Sequence, residues 1–187
     1  MSADTREKVL ATTEILMSDR GYEGVSIKDI AAAIGLRTAA IFYHFPTKAD
    51  LAAAALDRAR RDLAVLLAGI DAAEAMPRRR IVMFLETFGR IKTERSAFCF
   101  AGILAATRGI IPDPARDAAA RFGETLLDWL RANLAASRPD LDAAIRARRA
   151  LAVLALAEGA LLVARMQGTP DSYRQAVEEA LPALLDG

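Results

Sequence analysis

Residues 26–51, SIKDIAAAIGLRTAAIFYHFPTKADL, constrain the fold more than any other stretch of the chain. Ser26 is placed to cap a helix, its hydroxyl accepting from an unpaired first-turn amide. Ile27, Ile30, Ala31 and Ile34 then mark one apolar face at helical spacing. Gly35 suits the end of that helix, where positive φ is needed. A second helix is expected from about Arg37 to His44, with Ile41 and Phe45 four apart on its inner side. Two short helices split by a glycine turn form a helix-turn-helix pattern, whose second helix lies in a DNA major groove. Pro46 stops the second helix, and Thr47 caps a third that starts near Lys48.

Charge adds little to this reading. No acid lies between Asp29 and Asp50, whereas Arg37, Lys48 and the titratable His44 do. Across residues 1–64, however, nine Lys/Arg meet nine Asp/Glu. Any attraction for phosphate must come from local placement.

The longer stretch GYEGVSIKDIAAAIGLRTAAIFYHFPTKADL resembles the N-terminal DNA-binding domain of the tetracycline-repressor (TetR) family of bacterial regulators. Gly21-Tyr22, Ile30-Ala31, Gly35, Tyr43-His44-Phe45 and Lys48 sit at the family's spacing. The likeness runs back through Val9, Leu10, Leu16 and Met17, covering about the first third of the chain. It departs from the family at Thr12 and Thr13 (usually alanines), Met17 (phenylalanine), Arg37 (a serine N-cap) and Phe42 (tyrosine). With Arg37 in place of serine, either the cap comes from elsewhere or the helix begins at Thr38. The resemblance implies phosphate contacts from Tyr43, His44 and Lys48, with Ser26 or Lys28 adding others. Arg37 and Thr38 become the base-reading candidates. Small Ala39 and Ala40 allow close approach and contact with a thymine methyl, and Phe42 has lost a hydroxyl.

The chain has 187 residues, of which 53% are hydrophobic, enough for one large domain or two small ones with a buried core. Few aromatics and abundant Ala, Leu and Arg favour an all-α fold. No apolar stretch follows the start, so no secretory signal is expected. The longest apolar run, Ala150 to Ala164, falls short of a membrane span and is broken by Glu158. Lone Cys99 agrees with a reducing cytoplasm. A formal net charge of +1 predicts nothing about partners.

About nine helices are expected, with no strand pattern. The first, about Asp4 to Arg20, carries Val9, Leu10, Thr13, Leu16 and Met17 on one face. The helix after Pro46 runs to about Gly69 and is the natural lever between the DNA domain and the rest. Others are expected at about Pro77–Thr93, Ala97–Arg108 and Pro114–Ala136. Pro139 opens one to about Gln167, and Thr169-Pro170 starts the last, which Pro182 bends or shortens. Residues 1–64 form the DNA-binding domain and 65–187 a larger effector-binding and dimerisation domain.

The helix from Arg148 to Met166 is apolar on nearly every side between Leu151 and Val163, so two of its faces must be buried. Either it is the central helix of a monomer or one face meets a second copy. In the second case Leu156, Gly159, Ala160 and Val163, with Tyr173, Val177 and Leu181 of the last helix, form an isologous dimer contact. Two-fold symmetry then sets two reading helices roughly 34–36 Å apart and calls for a palindromic operator in double-stranded DNA.

Phe84, Phe88, Cys99, Ile103, Phe122 and Trp129 lie on helices that either surround a cavity or simply form core. The resemblance implies a pocket for a small, largely apolar effector. Glu158 either lines that pocket or makes a structural hydrogen bond, since a buried carboxylate needs a partner. Cys99 between two phenylalanines reads as an inert thiol, not a redox sensor. One histidine makes no metal site, and no GxGxxG, Walker or HExxH pattern occurs, so neither cofactor nor catalysis is expected. The sequence thus points to a cytoplasmic, homodimeric, ligand-responsive repressor with no membrane partner. The alternatives are a helical adaptor for protein partners and, behind it, a small helical enzyme using the same cavity.

Overall fold

The computed structural model describes residues 3–94 and 98–186, and all the regular structure in them is helical. The described residues hold nine α-helices: α1 (Ala3–Arg20), α2 (Ile27–Ala33), α3 (Thr38–Phe42), α4 (Lys48–Ala73), α5 (Pro77–Glu94), α6 (Phe100–Ala106), α7 (Asp113–Ser137), α8 (Ala143–Gln167) and α9 (Asp171–Asp186). They cluster into two compact units, and the chain passes from one to the other at 62/63, 97/98 and 123/124. Residues 98–123, assigned from the sequence to the C-terminal domain, cluster with the N-terminal unit instead. α6 packs on α1 there, burying Phe100, Ala101 and Leu104.

In the first unit, Val9, Leu10, Thr13 and Met17 of α1 are buried, as their three- and four-residue spacing requires. Thr13 satisfies its hydroxyl by donating to the Val9 carbonyl at 2.8 Å. Gly21, with φ +71°, lets its amide close α1 on the Met17 carbonyl at 2.9 Å. Arg58 of α4 ties the two helices together. Its guanidinium meets Glu7 and, at 2.8 Å, Glu14 of α1, and Asp62 of its own helix at 3.2 Å.

In the second unit, α9 packs along α8 and α5. α8 starts later than Pro139 suggests. Residues 138–142 form a turn in which Arg138 grips Asp140, and Asp142 is the N-cap, accepting from the Ile145 amide at 2.7 Å. Pro182 does not shorten α9, which continues through it to Asp186. The expected start of α6 at Ala97 lies outside the described residues. By length and composition α8 is long and apolar enough to cross a membrane, contrary to the sequence reading. Six of its residues, from Ala150 to Ala164, are nevertheless buried inside the chain's own fold. Its first turns also carry Arg146, Arg148 and Arg149.

Candidate nucleic-acid interface

The geometry of α2 and α3 follows from a few local interactions. Ser26 caps α2 through a reciprocal box. The Asp29 amide donates to Ser26 Oγ at 3.1 Å, and the Ser26 amide donates back to Asp29 Oδ2 at 2.8 Å. The Ser26 hydroxyl and amide hold the Asp29 carboxyl below its ordinary pKa. Ile27, Ile30 and Ala31 are buried beneath. Gly35 turns the chain at φ +67°, and Leu36 returns its amide to the Ala31 carbonyl at 2.9 Å.

α3 is a single five-residue turn, Thr38–Phe42. Arg37 is its N-cap and makes no side-chain capping bond, which settles the alternative left by the sequence in favour of a start at Thr38. Burial of Ile41 and Phe45 anchors the helix from below. Above them Arg37, Ala39, Phe42 and Tyr43 are exposed, Tyr43 by 83%, while Thr38 and His44 are half-buried. Tyr43 and His44 meet edge to face, with ring centroids 4.8 Å apart. Ser26 and Lys28 are exposed on α2.

Lys48 behaves differently from the expected surface cation. Its ammonium donates to the Tyr22 carbonyl at 3.0 Å and lies 4.1 Å from the centre of the Tyr22 ring. Part of its bonding capacity is thus spent inside the fold, fixing the loop that leads into α2. Burial, with Glu23 and Asp50 nearby, pushes the Tyr22 phenol up. Thr47 caps α4 in a second reciprocal box with Asp50.

The expected effector residues are divided between the two units. Cys99, Ile103 and Phe122 fall in the first unit, and Phe84, Phe88, Trp129 and Glu158 in the second. Within the second unit the aromatics pack in a row instead of around a space. Trp129 and Phe88 each lie 5.8 Å from Phe84, and Tyr173 follows 6.4 Å from Phe88. The Trp129 indole donates to Asp71 at 3.1 Å. Glu158 is half-buried, and its charge adds to the burial that raises the Tyr173 phenol. Cys99 is a buried thiol. A groove of about 600 Å³ does occur, between α5 and α9, and none of the seven expected residues lines it.

Four of the expected dimer residues pack within the chain itself. Ala160, Tyr173, Val177 and Leu181 are buried in the chain's own fold. Tyr173 packs on α5, where its hydroxyl donates to the Leu85 carbonyl at 3.0 Å. Leu156 is half-buried, and only Gly159 and Val163 of the expected set are exposed. The exposed stripe of α8 runs through Leu151, Ala155, Gly159, Leu162 and Met166, recurring at three and four residues. Sequence periodicity located the helix, but nearly every position is apolar, so it could not tell which stripe faces inward.

A capped helix, a glycine turn and a short outward-facing helix on a buried Ile41/Phe45 base define a helix-turn-helix domain. The model for bacterial regulatory proteins of the tetR family matches residues 9–55. Over that stretch the chain carries the family's DNA-binding domain. The HTH-type transcriptional regulator EthR of Mycobacterium tuberculosis is 35% identical over 98 residues, covering 49% of this chain and 45% of EthR. IcaR of Staphylococcus aureus, the negative transcriptional regulator of the biofilm operon icaADBC, is 30% identical over 46 residues, 25% of each protein. The chain thus spans less than half the length of the curated relatives it matches. A TetR transcriptional regulator from Legionella pneumophila superposes with TM-score 0.86 at 29% identity, covering 95% of both chains. One from Chloroflexus aurantiacus gives 0.82 at 27%, covering 98% of this chain and 95% of that one.

Proposed function

We propose that this chain is a DNA-binding transcriptional regulator, acting in the cytoplasm as a homodimer and released from a palindromic operator by a small, largely apolar effector. The observation that carries the reading is the outward face of α3. Arg37, Ala39, Phe42 and Tyr43 are exposed on a turn whose inner residues, Ile41 and Phe45, are buried. A large exposed aromatic beside an exposed arginine costs a free domain apolar hydration and serves base edges and phosphates instead. Tyr43, His44 and Lys48, with Ser26 and Lys28 on α2, set the protein on the backbone. Arg37 and Thr38 read bases. IcaR's role as a negative regulator supports repression here.

Pairing of two copies rests on the exposed α8 stripe, where Ala155 and Gly159 permit close helix approach. The effector acts by population shift, favouring a form whose two reading helices no longer match both half-sites. Gel shifts on an inverted repeat from the chain's own promoter region test the reading. Arg37→Ala should change preference at one base position by about 1–3 kcal/mol. No retardation at low salt, or a retardation indifferent to Arg37 and Tyr43, would exclude it.

A further inference from the structure

The groove between α5 and α9 is a cleft of fixed length. At one end Arg78 holds Asp186 with two hydrogen bonds, of 3.0 and 2.7 Å. Toward the other, Tyr173 lies against Gly89 and donates to Leu85. Between these pins the helices leave about 600 Å³, in the range of roughly 300–1,000 Å³ typical of small-molecule sites. Its floor is apolar, made by Val82 with buried Val177, Leu181 and Leu185. A ligand filling the cleft removes what apolar surface remains accessible along this floor.

The charges at its rim are not equivalent. Arg78 is taken by Asp186, and Arg174 by Asp171 and Glu178. Arg90 stands one turn from Glu86 on its own helix, which offsets its field. Arg79 is exposed, pairs with no acid among the described residues, and has Val82 and Met83 as its neighbours one turn on. Of the groove's arginines, Arg79 is thus the one with neither an ion pair nor an acid one turn away, and it stands beside Val82 of the apolar floor.

We propose that this groove binds an elongated apolar carboxylate, its head group on Arg79 and its chain lying along Val82, Val177 and Leu181 toward the Tyr173 ring. A guanidinium is suited to a carboxylate by its fork of donors. This deepens the reading of the chain as effector-responsive, but it is tested without DNA, so either can fail alone.

Dodecanoate below its micellar concentration, titrated calorimetrically into the full chain, should bind saturably, with one molecule per chain. Arg79→Gln should weaken dodecanoate about tenfold and leave dodecan-1-ol unchanged. Val82→Asp should abolish binding of both. Arg79 is exposed and Val82 half-buried, so both variants should fold, as an unchanged circular dichroism spectrum would verify. Absence of saturable binding overturns the proposal. So does wild-type affinity in both variants, which would put the carboxylate elsewhere, and so does equal weakening of acid and alcohol by Arg79→Gln. If dodecanoate binds as expected yet leaves the operator complex intact, the groove stands and the effector reading falls.

Discussion

Gly89 and Tyr173 compete for one space: a Cβ built on Gly89 would lie only 2.1 Å from Cε1 of the Tyr173 ring. Tyr173 is 4% exposed and its hydroxyl is bonded to Leu85, so the ring has nowhere to retreat. Gly89→Ala should therefore destabilise the chain by about 1–3 kcal/mol, despite the roughly 1 kcal/mol that alanine gains in a helix. Tyr173→Phe, which loses only the hydrogen bond, should cost about 1 kcal/mol. Urea unfolding at one fixed protein concentration measures both. Pairing Gly89→Ala with Tyr173→Leu should cost less than the sum of the two single changes, and strict additivity would show that the two residues do not share a site.

Acid sensitivity should report on the first cap. The Asp29 carboxyl is held below its ordinary value of 3.8 by the Ser26 hydroxyl and then by the Ser26 amide. A folded pKa below the unfolded one contributes stability that is fully present above about pH 4 and is lost as pH falls through the folded value. Asp29→Asn should accordingly flatten the drop in melting temperature below about pH 4. Ser26→Ala should cost about 1 kcal/mol at neutral pH. An unchanged acid profile in Asp29→Asn would mean that other carboxylates govern it.

Lys48 should be a residue with two duties. Because it contacts both the carbonyl and the ring of Tyr22, Lys48→Ala should lower stability by about 1 kcal/mol as well as weakening DNA binding. Tyr43→Phe, at an exposed position, should weaken DNA binding with the melting temperature unmoved. Scanning calorimetry beside salt-dependent gel shifts separates the two effects.

Arg58 gathers Glu7, Glu14 and Asp62 and is itself only 20% exposed. Arg58→Met should leave these acids facing one another and destabilise the N-terminal unit by about 1–2 kcal/mol. Hydrogen exchange of α1 amides should accelerate, whereas exchange in α8 and α9 should not.

Leu162 lies on the exposed stripe of α8, 48% accessible in the single chain. Leu162→Glu should convert the dimer to monomer in sedimentation velocity without changing helix content. A dimer that survives this change and Leu151→Glu together would have to use another face.

The fold was largely legible where chemistry is local. Ser26, Gly35 and Thr47 each impose one backbone geometry and helices begin or end beside them, but α3 stops at Phe42, short of the expected His44 and ahead of Pro46. Arg37 was ambiguous because it supplies no capping oxygen, and only the coordinates place the helix start one residue later. Pro139 misled because a proline can open a helix, but Asp142 offered a better acceptor. The effector and dimer residues were harder to read. In α8 nearly every residue is apolar, so choosing between Ala160 inward and Leu162 outward requires knowing where α5 and α9 lie. Phe84 and Trp129 looked like pocket walls because an aromatic row and an aromatic cage have the same helical spacing. The clustering of residues 98–123 with the N-terminus leaves no trace in composition.

The missing cap on α3 has an evolutionary consequence. Arg37 is exposed and its side chain contributes no bond to the helix it precedes. Folding therefore places almost no demand on that codon, and a serine, glutamine or lysine could stand there with the scaffold unaltered. With Arg37 reading a base as proposed, descendants of this chain could diverge in the sites they recognise through drift at a single position, each intermediate remaining a fully folded protein.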